Sequence, residues 1–354
     1  MLLESILMHA LPGLLVLAAF SSVADEQAAP EAKPAAAVPS VHLTHTAMTA
    51  DFDFLLFGDG PDADPQYLRE SAQEAFDAID ALEQTISNWI DGSPTAVMNR
   101  DAGDKPVVVP PELFSLMVTS KKFNEETSGV FDVTVGPLLK LWGFYGKKGG
   151  LPSPDEVKQS LELVGMNRVQ LNRADHSVKF ERPGMRVDFG GIGKGLAVDR
   201  AAAILKDKGI RSGRISGGTS SIIVWGSPPQ GGGWTIDIRD PYVSGEVARP
   251  PLAKVVIHDE SLSTSSNSEK YIEMNGKKYG HIFDPRTGMP AETNIVSATS
   301  VAPTGTESDA ITKAFFILGV EGAREFCKKH PQDRALLIVD HDGKPEVVRI
   351  NFPE

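Results

Sequence analysis

Eight consecutive residues, Asp188-Phe189-Gly190-Gly191-Ile192-Gly193-Lys194-Gly195, hold four glycines and one lysine. Glycine inside a helix or strand costs about 0.5–1 kcal/mol relative to alanine, so a run this rich suits neither interior. It reads as a tight turn. Residues 187–189 read as a strand entering the turn, and residues 196–208 as a helix leaving it and stopping at Gly209. Such a junction can bring backbone amides and one cation against a phosphate. Two common phosphate signatures fail. In the P-loop spacing, Asp188 stands where the first glycine belongs, and Gly195 follows Lys194 where a hydroxyl residue belongs. A dinucleotide fingerprint begun at Gly191 meets Leu196 where its third glycine belongs. What remains is a helix start with exposed amides and Lys194, or simply a structural turn.

A second stretch, Gly280-His281-Ile282-Phe283-Asp284-Pro285-Arg286-Thr287-Gly288, closes an alternating run at a polar turn. Residues 278–283 read as a strand with Tyr279, His281 and Phe283 on one face. Asp284-Pro285 stops the strand, and Gly288 permits a positive φ. Asp284, Arg286 and Thr287 then crowd one imidazole, a group suited to taking a proton from a hydroxyl near neutral pH. A packed structural histidine is the alternative. Asp309 lies near the start of a helix expected at residues 311–318. There it either stabilises the helix dipole or ligates a hard cation such as Mg²⁺. Thr264-Ser265-Ser266-Asn267-Ser268 is a dense hydroxyl run, by default a solvated loop and otherwise a ligand-facing one. No Gly-x-Ser-x-Gly elbow occurs, which argues against a serine hydrolase.

The patterning around these motifs predicts an α+β chain, because helices and strands mix without strict alternation. Residues 47–58 read as a strand with Phe52, Phe54 and Leu56 at period two. After Pro65, a stripe of Leu68, Ala72, Ala75, Phe76, Ile79, Leu82 and Ile86 predicts a long helix with a core-facing side. Residues 87–99 read as a loop holding Trp89. A helix from Pro111 to Gly129 and a short strand and turn over residues 131–142 follow. Residues 215–219 read as a second glycine turn. Further strands are expected at 222–225, 234–239 and 252–258, with a closing hairpin at 335–340 and 346–350.

The N-terminus differs in kind. Residues 11–20 are apolar and lead into Ser21-Ser22-Val23-Ala24, which predicts a signal peptide over residues 1–24, although Glu4 and the lack of Lys or Arg before it are atypical. Export to the periplasm or cell envelope is the corresponding expectation. The apolar run is too short for a membrane span, and none is expected in the mature chain. Residues 25–40, rich in Ala, Pro and Glu, read as a flexible linker, and residues 41–354 as one domain. The only cysteine, Cys327, excludes an intrachain disulfide and a thiolate metal cluster, and there is no cysteine for an N-terminal lipid anchor. A net charge of −12 argues against a nucleic-acid-binding face.

Taken together, the motifs resemble those of the FAD:protein FMN transferase family, the ApbE flavin transferases. Five blocks match in order: Ile86-Ser87-Asn88-Trp89 with Asn99; the run from Gly129-Val130-Phe131-Asp132 to Pro137-Leu138; the Asp188 glycine loop; Thr264-Ser265 followed by the His281 turn; and the Asp309 segment ending at Gly319. The resemblance implies an ApbE-like fold of mixed or antiparallel sheets flanked by helices. It implies Mg²⁺-dependent transfer of FMN from FAD to a threonine or serine hydroxyl of a target protein, releasing AMP. It implies FAD contacts at Met48, Trp89, Asp132, Val133, Thr134, Asp188, Lys194 and Ile282, with His281 as base and Asp284 as its orienting partner or a turn cap. It places the metal at the Gly191 carbonyl and Asp309, and suggests a membrane electron-transfer subunit as acceptor. Trp89 stands where the family usually has tyrosine, and Ser266 where it has glycine. Lys313 stands where a metal-ligating threonine is expected, four residues after Asp309, with Thr312 one place early. An ammonium cannot ligate a cation. Three outcomes stay open: metal with a water in place of threonine, Lys313 as a built-in counter-charge, or FAD binding without transfer. FAD pyrophosphatase activity, with water as acceptor, is a further alternative.

Overall fold

A strand that is apolar at every position must be covered on both faces. The strand Arg334–His341 is such a strand over its middle, where Ala335-Leu336-Leu337-Ile338-Val339 are all buried. The computed structural model, which describes residues 38–58, 63–146, 151–242, 250–267 and 271–353, supplies both covers. Ala335, Leu337 and Val339 pack against Phe315, Phe316 and Phe326 of a long helix, Gly305–Lys329. Leu336 and Ile338 pack against Trp234, Ile236 and Ile238 of a small hairpin on the opposite side. That hairpin pairs Trp234–Ile238 with Ala253–Ile257, and its inward residues alternate along both strands.

The central sheet has eight strands, all antiparallel. Their order is Ser40–Ala47, Ala50–Phe57, Ser212–Gly217, Ser221–Trp225, Ser261–Ser266, Ile295–Ala302, Arg334–His341 and Lys344–Ile350. Phe52, Phe54 and Leu56 are fully buried under the helix Pro65–Ile86, whose whole predicted stripe is buried. Asp64 caps this helix by accepting from the Gln66 amide at 2.8 Å, and Pro65 supplies a first-turn residue that needs no N–H partner. A second helix, Gly193–Asp207, buries Ala197, Ala201, Ala202 and Leu205 in the same core. The architecture is α+β, as the patterning predicts.

Several local expectations need correction. The strand expected at 47–58 is the second arm of a hairpin whose first arm, Ser40–Ala47, begins where a linker was expected. Met48 and Thr49 form its two-residue turn with φ of 51° and 60°. The first three residues of the hydroxyl run, Thr264, Ser265 and Ser266, lie not in a loop but in the strand Ser261–Ser266. Residues 131–142 hold no strand but a short helix, Gly136–Leu141, and the loop at 87–99 contains the helix Pro94–Asp101. Ile215 to Gly217 belong to a strand, not to the glycine turn. Residues 187–189 join no ladder. Among them and their neighbours only Arg186 bridges, to Val135. Residues 1–37, carrying the expected signal peptide and nearly all of the linker, lie outside the described residues. Among the described residues no helix is long and apolar enough to cross a membrane.

Candidate active site

The glycine loop, the hydroxyl strand, the His281 turn and the helix Gly305–Lys329 meet around one cavity of about 390 Å³. That size is ordinary for a small-molecule site. Met48, Trp89, Asp132, Val133, Asp188, Gly191, Lys194, His281 and Ile282 all line it, and so does Lys313. Stretches as far apart in sequence as Met48 and Ile317 therefore converge.

The loop's glycines serve packing first. A Cβ on Gly195 would stand 2.0 Å from the Gly305 carbonyl oxygen, so two helix starts touch through backbone. Four loop amides are spent inside the protein: Gly190 on Asp188 Oδ1, Ile192 and Gly193 on the Phe189 carbonyl, and Gly195 on Asp309 Oδ2. The expected amide cradle is thus largely internal, and Lys194 is the loop's main cationic group at the cavity. Its ammonium donates to the Ser220 hydroxyl, in the turn before the strand Ser221–Trp225.

Asp188 anchors the loop's entry. Its carboxylate accepts from the Tyr145 hydroxyl at 2.5 Å and from Asn88 Nδ2 at 3.1 Å, while its amide donates to the Val133 carbonyl at 2.7 Å. Asn99 then substitutes for a ladder partner, bonding both the amide and the carbonyl of Val187 at 2.8 and 3.0 Å. Burial, then the neighbouring Asp188 charge, pushes the Tyr145 phenol far above its ordinary range, so it stays a neutral donor. Arg186 lies 5.0 Å over the Tyr145 ring, and Trp89, 64% exposed, meets that ring edge-on at 5.4 Å. Tyr145 and Phe144 were missed by sequence reasoning. The cluster Trp142-Gly143-Phe144-Tyr145 was the available signal.

Asp132 and Thr134 hold a turn. Asp132 Oδ1 accepts from the Thr134 amide and hydroxyl at 2.7 and 2.6 Å, and Oδ2 accepts from the Met166 amide at 3.1 Å. Burial raises the Asp132 carboxyl above the usual range, and these hydrogen bonds only partly oppose it. Thr134, fully buried, also accepts from the Gly165 amide at 2.6 Å and does not reach the cavity wall.

His281 sits between the strand Lys277–Gly280 and the two-residue strand Phe283–Asp284. Its flanking aromatics are drawn into a satellite cluster: Tyr279 and Phe283 lie 5.2 and 6.0 Å from Trp142. The expected strand is interrupted at residues 281–282, and His281 lines the cavity. Asp284 is a turn cap. Arg286 grips both its oxygens, at 2.9 and 2.7 Å, and its carbonyl accepts from the Thr287 and Gly288 amides. Burial alone would raise the Asp284 carboxyl, but the Arg286 hydrogen bonds and charge hold it below the usual range. Thr264, Ser265 and Ser266 of the hydroxyl run line the cavity.

Asp309 does not reach the cavity wall. It is 1% exposed, with Oδ1 2.7 Å from Lys313 Nζ and Oδ2 2.9 Å from the Gly195 amide. Among the described residues, no group of three or more His, Cys, Asp and Glu side chains is gathered as a metal site.

Comparison with known proteins agrees with this arrangement. The profile described as the ApbE family matches residues 41–338. The FAD:protein FMN transferase of Treponema pallidum (strain Nichols) is 32% identical over 278 residues, spanning 75% of this chain and 76% of that protein. The FAD:protein FMN transferase of Escherichia coli (strain K12) is 29% identical over 287 residues, 80% of each chain. The crystal structure of an ApbE protein from Thermotoga maritima superposes with a TM-score of 0.77 at 26% identity, covering 88% of this chain and 97% of that one. The flavin transferase ApbE from Vibrio cholerae shares the fold, with a TM-score of 0.77 at 24% identity over 89% of this chain and 98% of that one. This chain belongs to the ApbE family.

Proposed function

We propose that the protein is an FAD:protein FMN transferase. The observation that carries this reading is the convergence of His281, Lys194 and the Trp89–Tyr145 aromatic rim on one cavity. The rings offer faces on which a flavin or adenine can stack, and Lys194 offers a cation for the diphosphate. His281 takes the proton of a target threonine or serine hydroxyl as its oxygen attacks the FMN phosphorus. The new O–P bond forms, the P–O bond to AMP breaks, and AMP leaves with the electron pair.

The Mg²⁺ expected from the resemblance does not fit the donors present. Both oxygens of Asp309 are occupied, one of them by an ammonium. Nor does Thr312 stand in: it is fully buried and does not line the cavity, and its hydroxyl is turned to the Ala298 carbonyl at 2.8 Å. Export is part of the reading and draws on the apolar run and small-residue site before Asp25. The acceptor we infer is a protein exposed on the same side of the membrane, such as an electron-transfer subunit. Incubation with FAD and a target domain carrying an acceptor threonine should raise the target's mass by FMN less one water. Free FMN and AMP with unmodified target would instead identify a pyrophosphatase. FAD binding with no products would identify a carrier, the reading that the Lys313–Asp309 pair favours.

A further inference from the structure

We propose that the ammonium of Lys313 is a built-in replacement for a divalent cation, so that the cavity engages the diphosphate of FAD without metal. Lys313 follows Asp309 by one helical turn, and the two side chains pair on the same face at 2.7 Å. The lysine stem passes over Gly191, where an added Cβ would lie 3.6 Å from Lys313 Cε. The amine therefore fills the space between the two residues to which the family resemblance assigns the metal. A Mg²⁺ ion needs near-octahedral oxygen ligands at about 2.0–2.1 Å. To gain Asp309 it would have to expel the ammonium from a carboxylate that is 1% exposed.

The amine is placed to act in the metal's stead. An ammonium has three N–H donors, and Asp309 takes one. Lys313 lines the cavity together with Lys194, so two cationic residues border one volume. Asp309, held from behind by the Gly195 amide, fixes the ammonium as it would fix a metal. Its negative charge leaves the pair neutral overall, with Lys194 as a second ammonium on the same cavity wall. The identity of the anion as a diphosphate rests on the transferase reading above. The placement of the amine does not.

The test uses the full chain, stripped of metal by chelation, with FAD affinity read from flavin fluorescence and Mn²⁺ as a spectroscopic probe for a divalent site. The parent should bind FAD equally, within about twofold, in chelator and in excess Mg²⁺, and should bind no Mn²⁺ with FAD present. The Lys313→Thr variant should bind Mn²⁺ with FAD and lose FAD affinity at least about tenfold in chelator. Lys313→Met, near in volume, should lose affinity in both conditions and gain no Mn²⁺ site. Circular dichroism of both variants checks folding, and the parent measurements stand even where a variant fails to fold. Binding of Mn²⁺ by the parent, or loss of its FAD binding in chelator, overturns the proposal and leaves the transferase reading intact. Metal-indifferent FAD binding without transfer to any target sinks the transferase reading and leaves this one intact.

Discussion

Replacing Gly195 by alanine tests whether the two helix starts that carry the site are fixed by backbone contact. The new Cβ would lie 2.0 Å from the Gly305 carbonyl oxygen, 2.4 Å from its carbonyl carbon and 2.8 Å from Asp309 Cβ. An ordinary carbon–oxygen contact is about 3.3 Å, so the shortfall is about 1.3 Å against atoms that cannot rotate away. The helices Gly193–Asp207 and Gly305–Lys329 must part by roughly 1 Å. Overpacking of this kind costs about 1–3 kcal/mol, and stretching the charged Gly195–Asp309 hydrogen bond costs about 1.5–3 kcal/mol more. Alanine returns about 1 kcal/mol of helix propensity. The net loss is about 3 kcal/mol. With a urea slope of about 3 kcal/mol/M, the unfolding midpoint should fall by about 1 M. Gly209→Ala is the control. It has open space but a φ of 80°, so it should cost about 1–2 kcal/mol and spare FAD binding. A Gly195→Ala variant within about 0.5 kcal/mol of the parent, with FAD affinity unchanged, would refute the argument.

Three further outcomes are expected. His281→Ala should lower the transfer rate about 10²–10⁴-fold while FAD affinity stays within about twofold, read by target mass and by flavin fluorescence. Trp89→Ala should weaken FAD binding by about 1–3 kcal/mol but move the urea midpoint little, because the ring is largely exposed. Burial, then the nearby Glu307 and Glu126 charges, pushes the Asp333 carboxyl up to about 7. A raised folded-state value gives stability that is complete below pH about 4 and lost as pH rises through about 7. Asp333→Asn should therefore stabilise the protein by roughly 1–2 kcal/mol at pH 8, and less at pH 5, in urea titrations at the two pH values.

What the sequence made legible follows from which interactions are local. The helix Pro65–Ile86 was readable because its cap, its first-turn proline and its stripe all lie within its own residues. The closing hairpin was readable for the same reason, with Asp342-Gly343 at the turn. The strand Ser261–Ser266 was not. Its hydroxyl residues find their partners far along the chain: Thr264 meets the Thr299 hydroxyl at 2.9 Å, and Ser308 meets those of Ser261 and Ser263 at 3.1 and 2.8 Å. Asp284 reads ambiguously for a related reason. Only the placed guanidinium of Arg286 shows that it closes a turn. Motif order located most of the cavity wall, but it could not show that Thr134 and Asp309 stand behind the wall.

A chain with net charge −12 must still attract a dianionic diphosphate. Charges beyond about 8 Å are largely screened at physiological salt, so the local balance at the cavity decides. Of the carboxylates near it, Asp188 faces three hydrogen-bond donors, Asp132 is held by a turn, and Asp309 is matched by Lys313. Each of these negative charges is turned toward the protein's own donors, while Lys194 and Lys313 bring positive charge to the cavity wall. Among the described residues, Glu83 also lines the wall and opposes them. Replacing it with glutamine should tighten FAD binding, with a gain that shrinks as salt is raised. An equal gain at low and high salt would show that Glu83 acts through packing and not through charge.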